Sequence, residues 1–304
     1  MDYRRFEEEM REMVQKKLQE SMEMEVCVSC KEVLKNNGVR NRAFCIRMGR
    51  KAVAPVIYTE ELYKRHLAGV SVEECAEAAI RTCLNGEENA AWIGGVAGIA
   101  MDWGQAKTRV YPYLISRKWN QEFFAGVAWK PFLDLAVCYM IRVEDADGMY
   151  FKVNICNSHL QAWGINQEEL ERQAWENLGK DGLRIQPIGE VVAGMEGAEE
   201  AMAALPVPMY ILTNRDGRYG AAGILDKKLL RGLADREGMN LYLLPSSVHE
   251  FILLLDDGQQ DAEALGQMVA EINQIQVLPE ERLEDHAYYY DRKADEIRIA
   301  GERP

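Results

Sequence analysis

With 304 residues, of which 48 % are hydrophobic and 28 % charged, the chain is long enough for about two domains, each with its own core, and too apolar for wholesale disorder. Its formal net charge of -13 is concentrated late: residues 181–304 hold 12 Lys and Arg against 23 Asp and Glu, a balance that repels a nucleic-acid backbone and suits solvent or a basic protein surface. The longest uncharged apolar stretch, Ala90 to Met101, is far short of the ~20 residues a spanning helix needs, which argues against insertion in a membrane.

In chain order, Tyr3, Phe6, Met10, Met13, Val14 and Leu18 recur at steps of three and four, predicting an amphipathic helix over 3–18. Two strands follow, 24–34 and 39–48, joined by Lys35-Asn36-Asn37-Gly38, whose Asn-Gly supplies the positive φ of a hairpin turn. A third strand is expected over 53–58 and a short helix from Thr59 to before Gly69. Ser71-Val72-Glu73-Glu74 is a capping box that opens a helix stopped by Asn85-Gly86. Residues 87–104, rich in Gly and Ala, read as a loop or a closely packed helix. Residues 105–125 read as helix interrupted by Pro112, and 132–143 as one buried strand that turns at 144–148 into a strand over 149–155. Helices are expected at 158–163 and 167–178, split by Gly164.

The Gly- and Pro-bearing stretch 179–208 is the best linker candidate. Beyond it come strands 209–213, 219–225, 240–244 and 251–255, helices 226–237 and 261–274, and a final hairpin over 287–299. The fold class predicted is α+β, with antiparallel or mixed sheets and helices packed on one side. Three segments are expected: 1–88, 89–180 and an acidic 181–304.

The opening residues carry no secretory apolar run, and the seven cysteines are odd in number and irregular in spacing. Free thiols and a cytoplasmic location are therefore expected. Cys27-Val28-Ser29-Cys30 lacks a second ligand pair for zinc, and residues three apart on a strand face opposite sides, so it is read as structural. No metal centre and no cofactor motif is assigned.

Two groups of side chains stand out. Ser246, Ser247, His249 and Glu250 bring hydroxyls, an imidazole and a carboxylate into five residues between two apolar strands. A nucleophilic serine needs a base within bonding reach and a third group to orient that base, and adjacency along the chain secures neither. His286, at the start of the last hairpin, joins this group if its strand neighbours that of His249, and a His–carboxylate metal site would then be conceivable. The second group, Arg40, Arg42, Arg47, Arg50 and Lys51, is the densest basic cluster and has Phe44 interleaved, a pattern able to follow a phosphate backbone.

The stretches Lys35-Asn36-Asn37-Gly38-Val39, Phe132-Leu133-Asp134-Leu135-Ala136-Val137, Ala162-Trp163-Gly164-Ile165, Leu244-Pro245-Ser246-Ser247-Val248-His249-Glu250 and Tyr288-Tyr289-Tyr290-Asp291-Arg292 resemble, in order, an uncharacterised domain family of anaerobic gut Gram-positive bacteria. The resemblance covers most of the chain, is weakest over 88–101, and implies a cytoplasmic bacterial setting with no activity attached. The function expected is a non-enzymatic binding or regulatory protein that contacts a protein partner. The alternatives are a hydrolase-like enzyme using His249 with Ser246 or Ser247, and a nucleic-acid binder working through the Arg40–Lys51 hairpin.

Overall fold

A computed structural model of the chain describes residues 1–49, 56–88, 96, 98–144, 150–191 and 208–302. The chain divides into two compact units, Met1–Ile99 and Ala100–Pro304.

The first unit opens with α1 (Tyr3–Ser21), capped by the Asp2 carboxylate, which accepts from the Arg5 amide at 3.0 Å. Its predicted apolar stripe is the buried one: Phe6, Met10, Val14 and Leu18 are fully covered, each contributing roughly 2 kcal/mol on burial. They face Val26 and Val28 of β1 (Val26–Leu34) and Phe44, Ile46 and Met48 of β2 (Arg40–Met48). The two strands pair antiparallel from Val26↔Met48 to Leu34↔Arg40. Their turn places Asn37 at φ 59° and Gly38 at φ 70°, the conformation that Asn and Gly tolerate best. β3 (Val56–Tyr58) joins the other edge of β2, and α2 (Thr59–Leu67) and α3 (Val72–Glu88) complete the core. The Ser71 box forms as predicted, with the Glu74 amide donating to Ser71 Oγ at 3.2 Å and the Ser71 amide to Glu74 Oε2 at 3.0 Å. The expected stop at Asn85-Gly86 does not occur, and α3 runs on to Glu88. An interior glycine costs a helix about 1 kcal/mol and ends it only where the backbone turns left-handed.

The second unit contains two antiparallel sheets. In the first, β6 (Leu135–Glu144) pairs along one edge with β4 (Val110–Ser116). Along the other it pairs with β5 (Trp129–Phe132) and then β7 (Tyr150–Asn154). Two expectations are corrected here. Residues 105–125 are not a helix: after a short α4 (Trp103–Ala106) the chain enters β4, where Pro112 is admitted because, among the described residues, β4 is an edge strand with no second neighbour awaiting its missing N–H. Residues 132–143 are not one strand either. The chain turns at Leu133 (φ 54°) and Asp134, so Phe132 pairs with Leu135 across a hairpin and Asp134 sits at its tip. α5 (Asn157–Trp163) and α6 (Gln167–Leu178) flank Gly164, which is left-handed at φ 68° as its place between them requires. Asn177, buried on α6, donates to the carbonyls of Lys107 at 2.7 Å and Val110 at 2.8 Å, fixing the start of β4.

The second sheet has the strand order β13-β12-β10-β11-β9-β8. Its members are β8 (Arg184–Pro187), β9 (Met209–Thr213), β10 (Leu241–Ser247), β11 (Glu250–Leu255), β12 (Tyr288–Asp291) and β13 (Glu296–Ile299). The helices α7 (Ile188–Val191), α8 (Lys227–Glu237) and α9 (Ala262–Gln276) accompany it, with Leu265 and Val269 of α9 against Tyr242, Leu244 and Leu254. The expected strand 219–225 is instead a 3-10 helix, Gly220–Leu225. Its small residues are there for close approach: a Cβ on Gly220 would collide with Thr213 Oγ1 and lie 2.5 Å from the Asn214 amide and 2.8 Å from the His249 carbonyl. The expected linker is partly β8 and α7. The boundary expected near residue 180 falls inside this unit, where Arg142 of β6 pairs with Asp181 and Asn214 donates to the same carboxylate at 2.8 Å. The chain is thus α+β, with antiparallel sheets throughout the described residues.

Candidate functional site

The serine–histidine group lies on the β10–β11 hairpin, and its side chains are spoken for locally. Ser246 Oγ donates to Glu250 Oε1 at 3.1 Å, and Ser247 Oγ accepts from the His249 amide at 3.1 Å. The His249 ring turns away from both: Nδ1 accepts from the Tyr219 amide at 3.1 Å and Nε2 faces Glu281 Oε1 at 3.4 Å. An imidazole whose basic nitrogen already accepts a backbone N–H, and whose other nitrogen donates to a carboxylate, has no lone pair left to take a serine proton. The hairpin is also latched from below by Thr213, which donates to the His249 carbonyl at 2.9 Å.

The basic cluster is largely paired. Arg40 meets Glu32 at 2.7 Å, and Arg42 grips the buried Glu7 carboxylate through Nε at 2.9 Å to each oxygen and through Nη2, with Thr59 donating to the same group at 3.4 Å. Arg47 is exposed on the opposite side of β2, while Arg50 and Lys51 lie outside the described residues. Cys27 is exposed and Cys30 packs towards the core, so the C-x-x-C pair faces two ways. All seven cysteines are free thiols.

What the fold does bring together is a group spread over the chain. The hairpin tip carries Asp134, the end of β4 carries Ser116, and the segment before β12 carries Glu284 and His286. Asn273 of α9, itself buried, pins that segment by donating to the Glu284 carbonyl at 3.1 Å and to Asp285 Oδ1 at 3.0 Å. Ser116 Oγ donates to Glu284 Oε1 at 2.5 Å and Tyr288 OH to Asp134 Oδ1 at 2.8 Å. His286 Nε2 lies 3.1 Å from Asp134 Oδ2 but off the line a hydrogen bond needs, and the atom is buried without a hydrogen-bond partner. Burial pushes the Glu284 carboxyl above its usual range. Burial also acts on Asp134 and His286, but their mutual contact, joined at Asp134 by the Tyr288 hydroxyl, outweighs it, holding the Asp134 carboxyl below and the imidazole above its ordinary value. An open groove of about 360 Å³, lined by Arg117, Lys118, Gln121, Asp134 and Glu284, gives solvent access. His286 therefore meets Asp134 and Glu284, and it shares no described contact with His249. Glu284-Asp285-His286 is the local signal in the sequence; Asp134 lies 150 residues before Glu284, in a stretch whose apolar run reads as the interior of a strand.

A second group was also missed. Lys152 of β7 places its ammonium 3.6 Å over the Tyr113 ring and 4.4 Å over Tyr219, with no carboxylate partner among the described residues, and burial pulls it down to about 7. A third feature is a surface one. Met268, Ile272 and Ile275 of α9, at steps of four and three, and Leu278 just beyond, are exposed, Ile275 by 82 %.

The class these observations define is an α+β protein with a cluster of a buried acid, a second carboxylate and an imidazole in its second unit. The chain belongs to a family of unknown function, DUF5688, whose sequence model matches residues 3–292. No curated protein and no solved structure matches it significantly. Among the described residues no helix is long and apolar enough to cross a membrane.

Proposed function

We propose that the chain is a non-enzymatic binding protein that meets a protein partner through the outer face of α9. The observation that carries this reading is the stripe of Met268, Ile272, Ile275 and Leu278 left in water beside a buried face formed by Val269 and Asn273. Single exposed apolar residues are ordinary, but three in register along one helix with a fourth just past its end mark a contact surface. Glu271 precedes Ile272 and Glu280 follows Leu278 in the segment that holds the excess negative charge, so the partner expected presents an apolar patch ringed by Lys or Arg. The engagement of His249 with Tyr219 and Glu281 favours this reading over the hydrolase alternative. The pairing of Arg40 and Arg42 with carboxylates favours it over the nucleic-acid alternative.

The test compares the full chain with an Ile272→Ser/Ile275→Ser variant. Exposed substitutions of this kind leave stability within about 0.5 kcal/mol, which circular dichroism verifies. Affinity capture from cells that express the chain naturally should yield a protein that the variant recovers at least about tenfold less and that weakens as salt rises. Equal recovery by the two chains overturns the reading. So does a wild-type dimer in sedimentation that the variant lacks, because the face would then bind a second copy rather than a different protein.

A further inference from the structure

We infer that Asp134, Glu284 and His286 form a binding site for a divalent first-row cation of the manganese-to-zinc group. One ligand atom from each residue lies within 4.8 Å of the others, so a shared ion needs only small side-chain movements. The 3.1 Å between His286 Nε2 and Asp134 Oδ2 is close to the separation of adjacent ligands around an ion bound at about 2.0–2.2 Å. The two atoms are not aligned on each other as a hydrogen-bonded pair would be. Nε2 is buried, and its 3.1 Å contact with Asp134 Oδ2 is an ion pair and not an aligned hydrogen bond, so both atoms can turn toward a shared third point.

The surroundings hold the carboxylates in place without using them up. Tyr288 OH occupies only Asp134 Oδ1, and Ser116 Oγ occupies only Glu284 Oε1, which leaves Glu284 Oε2, and Asp134 Oδ2 beside His286 Nε2, to face an ion. Asn273 fixes the backbone of Glu284 through its carbonyl. Metal-ligating carboxylates are commonly steadied in this way. One imidazole nitrogen with two carboxylate oxygens suits manganese, iron(II) or zinc, whereas calcium asks for six to eight oxygens and soft ions for thiolates. The groove at Asp134 and Glu284 leaves room for water at the remaining positions, and Arg117 and Lys118 on its rim would accept an anion carried by the ion.

The alternative is a plain ion pair between His286 and Asp134. To decide between them, the full chain is stripped with chelator and titrated calorimetrically with Mn²⁺ and Zn²⁺, and by visible absorption with Co²⁺. One equivalent should bind with a dissociation constant at or below about 10 μM. The cobalt spectrum should show ligand-field bands without thiolate-to-metal charge transfer, which excludes the exposed Cys27 as the ligand. His286→Gln should weaken binding by about 10- to 100-fold. If that variant does not fold, Glu284→Gln serves, since it keeps an acceptor for Ser116 and removes the charge. The inference is overturned if none of the three ions binds at or below about 10 μM, if binding is unchanged in the folded variant, or if the cobalt bands are those of thiolate.

Discussion

Replacing Lys152 by Met tests whether the interior of the first sheet of the 100–304 unit holds an unpaired charge. Burial lowers the ammonium from 10.5 to about 7, equivalent to roughly 5 kcal/mol against the charged form at neutral pH. The faces of Tyr113 and Tyr219, at 3.6 and 4.4 Å, offset about 2 kcal/mol of that. Methionine fills nearly the same volume without charge, so the variant should be more stable by on the order of 3 kcal/mol near pH 6. A base whose folded pKa is depressed binds fewer protons folded than unfolded over the interval between the two values. Wild-type stability therefore rises with pH from about 7 towards the unfolded value near 10.5, and the advantage of the variant fades over that range. Urea unfolding at a series of pH values measures this, followed by tryptophan fluorescence, since Trp103, Trp119, Trp129, Trp163 and Trp175 all lie in that unit. A variant less stable than wild type near pH 6, or a difference that does not change with pH, refutes the argument.

Other substitutions separate paired from idle groups. Arg42→Ala strands the Glu7 carboxylate, whose side chain is 5 % exposed, and should cost about 2–3 kcal/mol, whereas Arg47→Ala should stay within about 0.5 kcal/mol; thermal melts of the two distinguish them. Gly220→Ala places a methyl against Thr213, the Asn214 amide and the His249 carbonyl, and should destabilise by about 3 kcal/mol or more in urea unfolding. The docking variant of α9 and the metal titrations described above complete the set.

Much of the first unit was legible in its residues because its determinants are local. The stripe from Phe6 to Leu18 follows the helical period, Asn37-Gly38 supplies the only cheap route through a left-handed turn, and the Ser71 hydroxyl reaches an amide three residues on. In the second unit the reading failed where distant neighbours decide. Pro112 breaks a helix but is harmless on a strand edge, and nothing near it in the chain says that it lies on one. Gly220-Ala221-Ala222-Gly223 reads as a plain apolar run until Thr213 and the His249 carbonyl are seen pressed against it.

The same division holds for chemistry. Ser246, Ser247, His249 and Glu250 are neighbours in the chain, yet the hairpin ties Ser246 to Glu250 and Ser247 to the His249 amide while the His249 ring faces Tyr219 and Glu281. Asp134, Glu284 and His286 come from opposite ends of the unit and converge. Periodicity, turn residues, caps and the late excess of acid are properties of short stretches, so the amino-acid order determined the α+β class and most element positions. Which side chains face one another is set by how strands from far-apart stretches pair and stack, a long-range outcome of burying apolar faces. Only the tertiary structure could therefore decide where a candidate site lies.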